Sequence, residues 1–350
     1  MKKTTTRTAV ILFNLGGPDK QSAVRPFLFN LFFDPAIIRL PAFFRFLIAK
    51  LISSRREDVA KKIYAKMGGG SPILKNTEEQ ARALEKTLGE NFKCFVAMRY
   101  WHPFADEVAP EVKLYAPDEI ILLPLYPQYS TTTTASSFKD WRETAQKAGI
   151  SAPTKAICCY PDEAGFIEAL AANISNAYEK AKAYGAPRLL LSAHGLPEKI
   201  VRDGDPYQWQ CEKTAEAVAR AVMRAATHGA GIPGLDAVLC YQSRVGPLQW
   251  IGPSTESEVL RAAKEKKPVI IAPIAFVSEH SETLVEIDME YRELALKKGS
   301  PAFFYAPAVA ANAGFIRGLA GLVKKAAAGE AQIISERGGR ICPPHCDCPN

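Results

Sequence analysis

Arg188–Pro197 reads RLLLSAHGLP, and how this stretch is taken decides the fold. Its apolar run is shorter than the 10–12 or so residues a helix usually needs, and it stops at a Gly-x-Pro turn. That is how a strand buried on both faces looks. Ala9–Pro18, AVILFNLGGP, has the same build. Four further runs follow: Phe92–Pro103 (FKCFVAMRYWHP), Glu119–Ser130 (EIILLPLYPQYS), Ala237–Pro247 (AVLCYQSRVGP) and Val269–His280 (VIIAPIAFVSEH). Segments with helical periodicity separate them, which is the pattern of a parallel sheet covered by helices.

The six runs sort into two matching trios. The first member of each ends in a Gly-Pro-containing turn, and the second in a turn that contains Arg. The third passes through a proline into a polar stretch leading to Ser, Thr and a helix. At 350 residues the chain is longer than a single core of about 100–200 residues requires. The expectation is an α/β chain of two similar halves, each a parallel sheet flanked by helices, with a cleft between them. The halves cover 1–165 and 166–325, an insertion at about 22–72 enlarges the first, and a Cys-rich tail occupies 326–350.

The net charge of +7 is spread among interspersed acids and bases, so no basic block points to nucleic acid. Eight cysteines are scattered along a chain whose basic start, MKKTTTR, leads into an apolar run without a small-residue cleavage site. That favours a reducing, cytoplasmic setting, where clustered cysteines read as metal-binding or catalytic rather than as disulfides. Pro26–Arg56, PFLFNLFFDPAIIRLPAFFRFLIAKLISSRR, carries seven phenylalanines, but Asp34, Pro35, Arg39, Pro41 and Arg45 interrupt it before a membrane-spanning length is reached. Two readings fit: a core helix, or an exposed apolar lip ending at Arg55 and Arg56 that rests on a membrane surface or grips a flat apolar ligand.

In open α/β sheets ligands bind beyond the carboxyl ends of the strands. His194, Arg99, Tyr126, Ser130, Arg244, Glu279, His280 and Glu282 all fall there. Neither NLGGP nor MGGGSP has the spacing that cradles a dinucleotide or a nucleotide phosphate, so no nucleotide cofactor is expected. Ser192 and His194 lack the G-x-S-x-G context of a hydrolase nucleophile.

Phe276–Lys298, FVSEHSETLVEIDMEYRELALKK, is the richest segment chemically. Ser278 or Ser281 is placed to cap a helix on which carboxylates 279, 282, 286, 290 and 293 share one stripe, with Leu284, Ile287, Tyr291 and Leu294 on another. Such a stripe is either a solvated acidic face or a track of oxygen ligands for a hydrated divalent cation. His194, followed by the turn-forming Gly195 and Pro197, adds an imidazole whose ordinary pKa near 6.5 lets it take and release protons at neutral pH. A proton acceptor beside a metal-delivering carboxylate suits a reaction in which a ligand loses protons as a metal enters it.

SAHGLP, YQSRVGPLQWIGP, FVSEHSETLVEIDMEY, YPQYSTTTTASS, NLGGP and GGGSP together resemble the ferrochelatases, and the likeness runs from about residue 8 to 325. It implies two Rossmann-like halves of the chelatase type. The implied activity is insertion of ferrous iron, as substrate, into protoporphyrin IX to close haem synthesis. Coproporphyrin is the alternative substrate; another tetrapyrrole chelatase and a porphyrin or iron carrier without turnover are the more distant readings. Carried over, His194 is the pyrrole-proton acceptor or metal ligand and Glu282 its acidic partner, while His280 and Glu286 join the same metal track. Arg56, Tyr64 and Ser71 match porphyrin-holding positions, and Leu15, Arg99, Tyr100, Tyr126, Ser130 and Trp250 line the slot. Some family members have a tyrosine at the Leu15 position; leucine cannot ligate, so a metal route here uses other residues. Protoporphyrin is poorly soluble, so an apolar lip resting on the cytoplasmic membrane face would shorten its path.

The tail Cys342–Cys348, CPPHCDC, resembles that of ferrochelatases holding a [2Fe–2S] cluster, which needs four thiolates. Thr131 stands where animal members supply the internal ligand, so the resemblance points to Cys158, with Cys159 as the alternative, beside Cys342, Cys346 and Cys348. Zinc with His345 as fourth ligand is the second reading, and an unligated tail the third.

Overall fold

The computed structural model describes residues 6–225, 234–244, 246 and 248–348. Val245 and Pro247 of the SRVGP turn lie outside the described residues. The chain divides into two compact units, Met1–Cys159 with Leu319–Arg340, and Tyr160–Gly318 with Ile341–Cys348.

In the first unit, β1 (Thr8–Asn14), β2 (Phe92–Met98), β3 (Glu119–Pro124), β4 (Thr154–Cys159) and β9 (Ile333–Ser335) form one parallel sheet in the order β2-β1-β3-β4-β9. Every residue of β1 is buried, as a strand covered on both faces must be. The helices are α1 (Val24–Phe33), α2 (Ala42–Ala65), α3 (Ile73–Leu88), α4 (Ala105–Tyr115) and α5 (Thr134–Lys147). One sheet face packs Ala9, Ile11 and Phe13 against Val108 and Val112 of α4 and Phe138 and Trp141 of α5. β9 comes from within the stretch that reads from sequence as the tail.

The second unit repeats the scheme. β5 (Arg188–His194), β6 (Asp236–Gln242), β7 (Val269–Pro273) and β8 (Phe303–Tyr305) are parallel in the order β6-β5-β7-β8. In both sheets the first run of the trio is central, the second lies on one side and the third on the other. The helices are α6 (Ala164–Ala181), α7 (Glu198–Arg202), α8 (Tyr207–Ala225), α9 (Thr255–Lys264), a π-helix over Glu282–Glu290, α10 (Tyr291–Lys297) and α11 (Ala313–Ala328), the last shared with the first unit. Register places His194 opposite Gln242, so the carboxyl ends of β5 and β6 are level.

The insertion is a helical hairpin of α1 and α2. Only Ala49, Ser53 and Tyr64 of α2 are buried. Phe43 is 68% exposed and Phe44 56%, with Phe46, Leu47 and Leu51 also in the open, so this stretch is an exposed apolar lip and not a core helix. Among the described residues no helix is long and apolar enough to cross a membrane.

One element departs from its sequence reading. The acidic helix opens as a π-helix, and Ser281 before it makes no side-chain cap. Bonding five residues apart widens the turn, so partners three and four apart no longer stack. Tyr291 instead donates to the Glu286 carboxylate five residues earlier, at 3.0 Å. Thr283, Val285 and Ile287 are the buried residues of this π-helix, with Leu284 only half-buried.

Candidate functional site

In the second unit the site grows from the end of β5. His194 Nδ1 lies 2.6 Å from the carbonyl oxygen of Gly195, which can only accept, so Nδ1 carries the proton and Nε2 keeps a lone pair. Gly195 is required by close approach: a Cβ there would sit 2.9 Å from the Gln242 carbonyl oxygen and 3.2 Å from the Trp250 ring. Trp250 also bridges Pro197. Its ring therefore packs beside the turn that holds the imidazole.

Glu282, first residue of the π-helix, brings Oε2 to 3.8 Å from His194 Nε2. Burial pushes its carboxyl above the ordinary range, against the pull of His194 and with the push of Glu286. The Glu282 backbone N–H donates to His280 Nδ1 at 3.1 Å, which leaves the proton of neutral His280 on Nε2. That Nε2 is buried with no partner among the described residues. Burial, aided by nearby His194, lowers the His280 pKa to about 3, so the ring stays neutral at any physiological pH. Neither of its nitrogens keeps a free lone pair. His280 thus holds the backbone at Glu282 through this hydrogen bond.

Glu286 is gripped by three donors: the Ser243 N–H at 2.9 Å, the Ser243 hydroxyl at 2.5 Å and the Tyr291 hydroxyl at 3.0 Å. The rest of the acidic stripe separates. Glu279 accepts from Thr283, Tyr305 and the Ala308 N–H at 2.5, 2.8 and 2.9 Å, a bracing role, while Glu290 and Glu293 are exposed. The structure therefore brings together His194, Glu282, Glu286 and His280, and leaves the other carboxylates out.

In the first unit, Leu15, Tyr64 and Tyr100 meet in one apolar cluster with Phe27 at the base of the lip. Tyr100 and Arg99 converge on Asp34, which the sequence shows only as a break in the apolar stretch. Its Oδ2 accepts from Arg99 Nη2 at 2.9 Å, Tyr100 OH at 2.9 Å and Ser136 Oγ at 2.5 Å. Arg56 is exposed, with its guanidinium 5.9 Å from the Phe32 ring centre. Tyr126 is half-buried against the core, and Ser130 is buried with its hydroxyl on Thr132 at 2.8 Å. Ser71 lines a pocket of about 430 Å³ with Lys20, Ser22 and Trp101. The two glycine-rich turns exist for each other: Ser71 N–H donates to the Pro18 carbonyl at 2.7 Å, and a Cβ on Gly17 would lie 2.6 Å from that of Ser71.

None of the eight cysteines is in a disulfide. Cys158 and Cys159 end β4 as a buried pair with sulfurs 3.2 Å apart, close enough to share one metal ion. In the tail Cys342, Cys346 and Cys348 are buried, whereas His345 between them is exposed. Gln210 Nε2 donates to the Cys342 sulfur at 3.0 Å.

Sequence reasoning missed Asp34 and Ser243. Their signals, an acid inside an apolar insertion and a serine directly after a strand, are too common to single out.

A family model described as Ferrochelatase matches residues 7–327. A Caulobacter vibrioides protein named ferrochelatase is 52% identical over 343 residues, covering 97% of this chain and 95% of that protein. One from Wolbachia sp. subsp. Drosophila simulans, with the same name, is 52% identical over 320 residues, or 90% of this chain and 98% of its own. Among solved structures, SirB from Bacillus subtilis with Fe3+ aligns with a TM-score of 0.50 at 10% identity, covering 92% of this chain and 96% of that one. At that identity the likeness speaks to the fold alone.

Proposed function

The chain belongs to the ferrochelatase family, and from that premise we propose how its side chains load ferrous iron into protoporphyrin. The enzyme is a porphyrin metal chelatase of haem biosynthesis. One observation carries the site reading: His194 Nε2 has its lone pair free and lies 3.8 Å from the Glu282 carboxylate.

A porphyrin binds iron only after two pyrrole N–H protons leave. His194 Nε2 accepts a proton from the ring, and the resulting imidazolium is stabilised by Glu282 beside it. Glu282 and Glu286 supply hard oxygens for aquated Fe2+, held weakly enough to be passed on. His280 stays neutral and holds the Glu282 backbone in place. In the first unit, Arg56 has the exposed guanidinium suited to a propionate, and Tyr64 and Ser71 match the other porphyrin-holding positions of the family pattern. Leu15, Tyr100, Tyr126 and Ser130 are assigned to porphyrin contact, with Arg99 held in place by Asp34. In the second unit that contact falls to Trp250. Protoporphyrin and coproporphyrin differ in their number of carboxylate arms, so initial rates of anaerobic Fe2+ insertion into each decide the substrate. We expect the protoporphyrin rate to be the higher; a faster coproporphyrin rate overturns that choice.

We place the enzyme in the cytoplasm, with the lip resting on an anionic membrane surface. The exposed Phe43 and Phe44 sit among Arg39, Arg45, Lys50, Arg55 and Arg56, an apolar face with a basic border. Replacing both phenylalanines by serine is expected to weaken co-sedimentation with anionic vesicles by about 10²–10⁴-fold, since each buried Phe is worth about 1.5–3 kcal/mol. Failure of the unaltered protein to co-sediment at any ionic strength leaves the lip as a porphyrin clamp alone.

The tail thiols and the Cys158–Cys159 pair fit a [2Fe–2S] cluster by their chemistry: buried sulfurs outside any disulfide, one of them already accepting an N–H. Cys342, Cys346 and Cys348 with Cys158 are the proposed ligands, and a bound cluster would supply a one-electron redox couple. The exposure of His345 weighs against zinc. Freshly purified protein is expected to be red-brown, with the colour lost in Cys158→Ser and kept in Cys159→Ser. A colourless wild-type protein rules the cluster out.

A further inference from the structure

We propose that Ser243 is a positioning residue on the iron route: it sets the spacing of Glu282 and Glu286, and through them the affinity for ferrous iron. The inference rests on the reading of those two carboxylates given above, and it assigns a role to a residue that the sequence did not single out.

Ser243 follows β6 directly and has φ +63°, the left-handed region. For a residue with a Cβ that conformation costs about 1–2 kcal/mol, so something must hold it. Non-glycine residues kept there tend to cluster at working sites. What it achieves here is visible in the hydrogen bonds. The backbone N–H and the hydroxyl of this one residue reach the two oxygens of one carboxylate, Glu286 Oε1 at 2.9 Å and Oε2 at 2.5 Å. Tyr291 closes on Oε1 from the far end of the π-helix at 3.0 Å. Glu286 therefore has one orientation, fixed from both of its oxygens.

The same Ser243 hydroxyl oxygen lies 3.4 Å from Glu282 Oε2, the oxygen that faces His194. The single hydroxyl proton goes to Glu286, and the same oxygen keeps Glu282 within reach at 3.4 Å, so Ser243 touches both carboxylates and sits between two groups that otherwise repel. Its neighbour Arg244 does not interfere, because that guanidinium turns away to the Ile251 carbonyl at 3.0 Å. A divalent cation entering between Glu282 and Glu286 meets oxygens already placed by the serine, without first having to order two long side chains.

The test is anaerobic steady-state kinetics with Fe2+ and protoporphyrin varied separately, on three variants. Ser243→Ala removes the hydroxyl and keeps the strained turn, and Ser243→Gly removes the hydroxyl and relieves the strain. Ser243→Asn tolerates the left-handed conformation and still offers a side-chain donor. The expected result is an iron KM raised about 10–100-fold in both Ala and Gly, the usual cost of losing a partner that orients a metal ligand. The porphyrin KM should stay where it is, and Asn should recover most of the iron affinity. An unchanged iron KM in Ala and Gly overturns the proposal, as does recovery by Gly, which would make the backbone conformation the whole effect. An equal rise in both KM values overturns it too, as general loosening. If His194→Ala remains active, the reading of the site has failed, and that outcome is separate from any result at Ser243.

Discussion

His194→Ala is expected to lower the rate of haem formation by about 10²–10⁴-fold, the range a positioned acid–base group contributes, while porphyrin affinity stays unchanged. The geometry makes the expectation specific. Nδ1 is committed to the Gly195 carbonyl at 2.6 Å, so the only basic atom of the ring is Nε2. Glu282 is the carboxylate 3.8 Å from that atom, placed to stabilise the imidazolium that forms. No other histidine takes over: His280 is buried, neutral and already accepting the Glu282 N–H. Water entering the space left by the ring is a weaker base and leaves a residual rate. The measurement pairs single-turnover absorbance of haem formation with fluorescence quenching by the porphyrin. Wild-type turnover in the alanine variant removes the mechanism; loss of turnover together with loss of porphyrin binding removes the assignment of His194 to proton transfer alone.

How much of this was legible beforehand depends on the range over which each signal acts. β1 and β5 could be read because a strand buried on both faces must be apolar along its length, and a glycine turn marks its end. The matching turns announced two similar halves, but not the order of the strands within each sheet. β8 and β9 are three residues each, too short to carry a period, and so were missed. The acidic segment was read at a helical period of three or four. That period finds Glu282 and Glu286 but also admits Glu290 and Glu293, which the wider π-turn leaves in solvent. Glu279 looked like one more ligand and is a brace, because its partners Tyr305, at the end of β8, and Ala308, in the loop after it, lie far along the chain. The glycines of NLGGP and GGGSP announced turns, but not that the two turns would touch across more than fifty residues of chain.

Asp34→Ala is expected to destabilise the first unit by about 3–5 kcal/mol, the penalty for removing one partner of a buried ion pair. The side chain of Asp34 is 2% exposed and that of Arg99 21%, so water cannot replace the lost carboxylate fully. Three donors lose their acceptor at once: the guanidinium, the Tyr100 hydroxyl and the Ser136 hydroxyl. The turn that leads from α1 toward α2 loses its anchor as well, since Asp34 Oδ1 accepts the Ala36 N–H at 2.7 Å. Asp140 provides the contrast. It stands 3.8 Å from the same guanidinium but is 33% exposed, and Asp140→Ala is expected to cost less than about 1 kcal/mol. Urea unfolding followed by tryptophan fluorescence reads both variants, and Asp34→Ala with Arg99→Ala completes a double-mutant cycle. The double variant should cost less than the two single variants added together, because each single one strands the other partner. Equal, small effects at Asp34 and Asp140 would show that burial is not what gives the network its strength. A large effect at Asp34 alone ties the lip to the turn that carries Arg99 and Tyr100, so a substitution in the apolar insertion would reach the residues proposed for porphyrin contact without touching them directly.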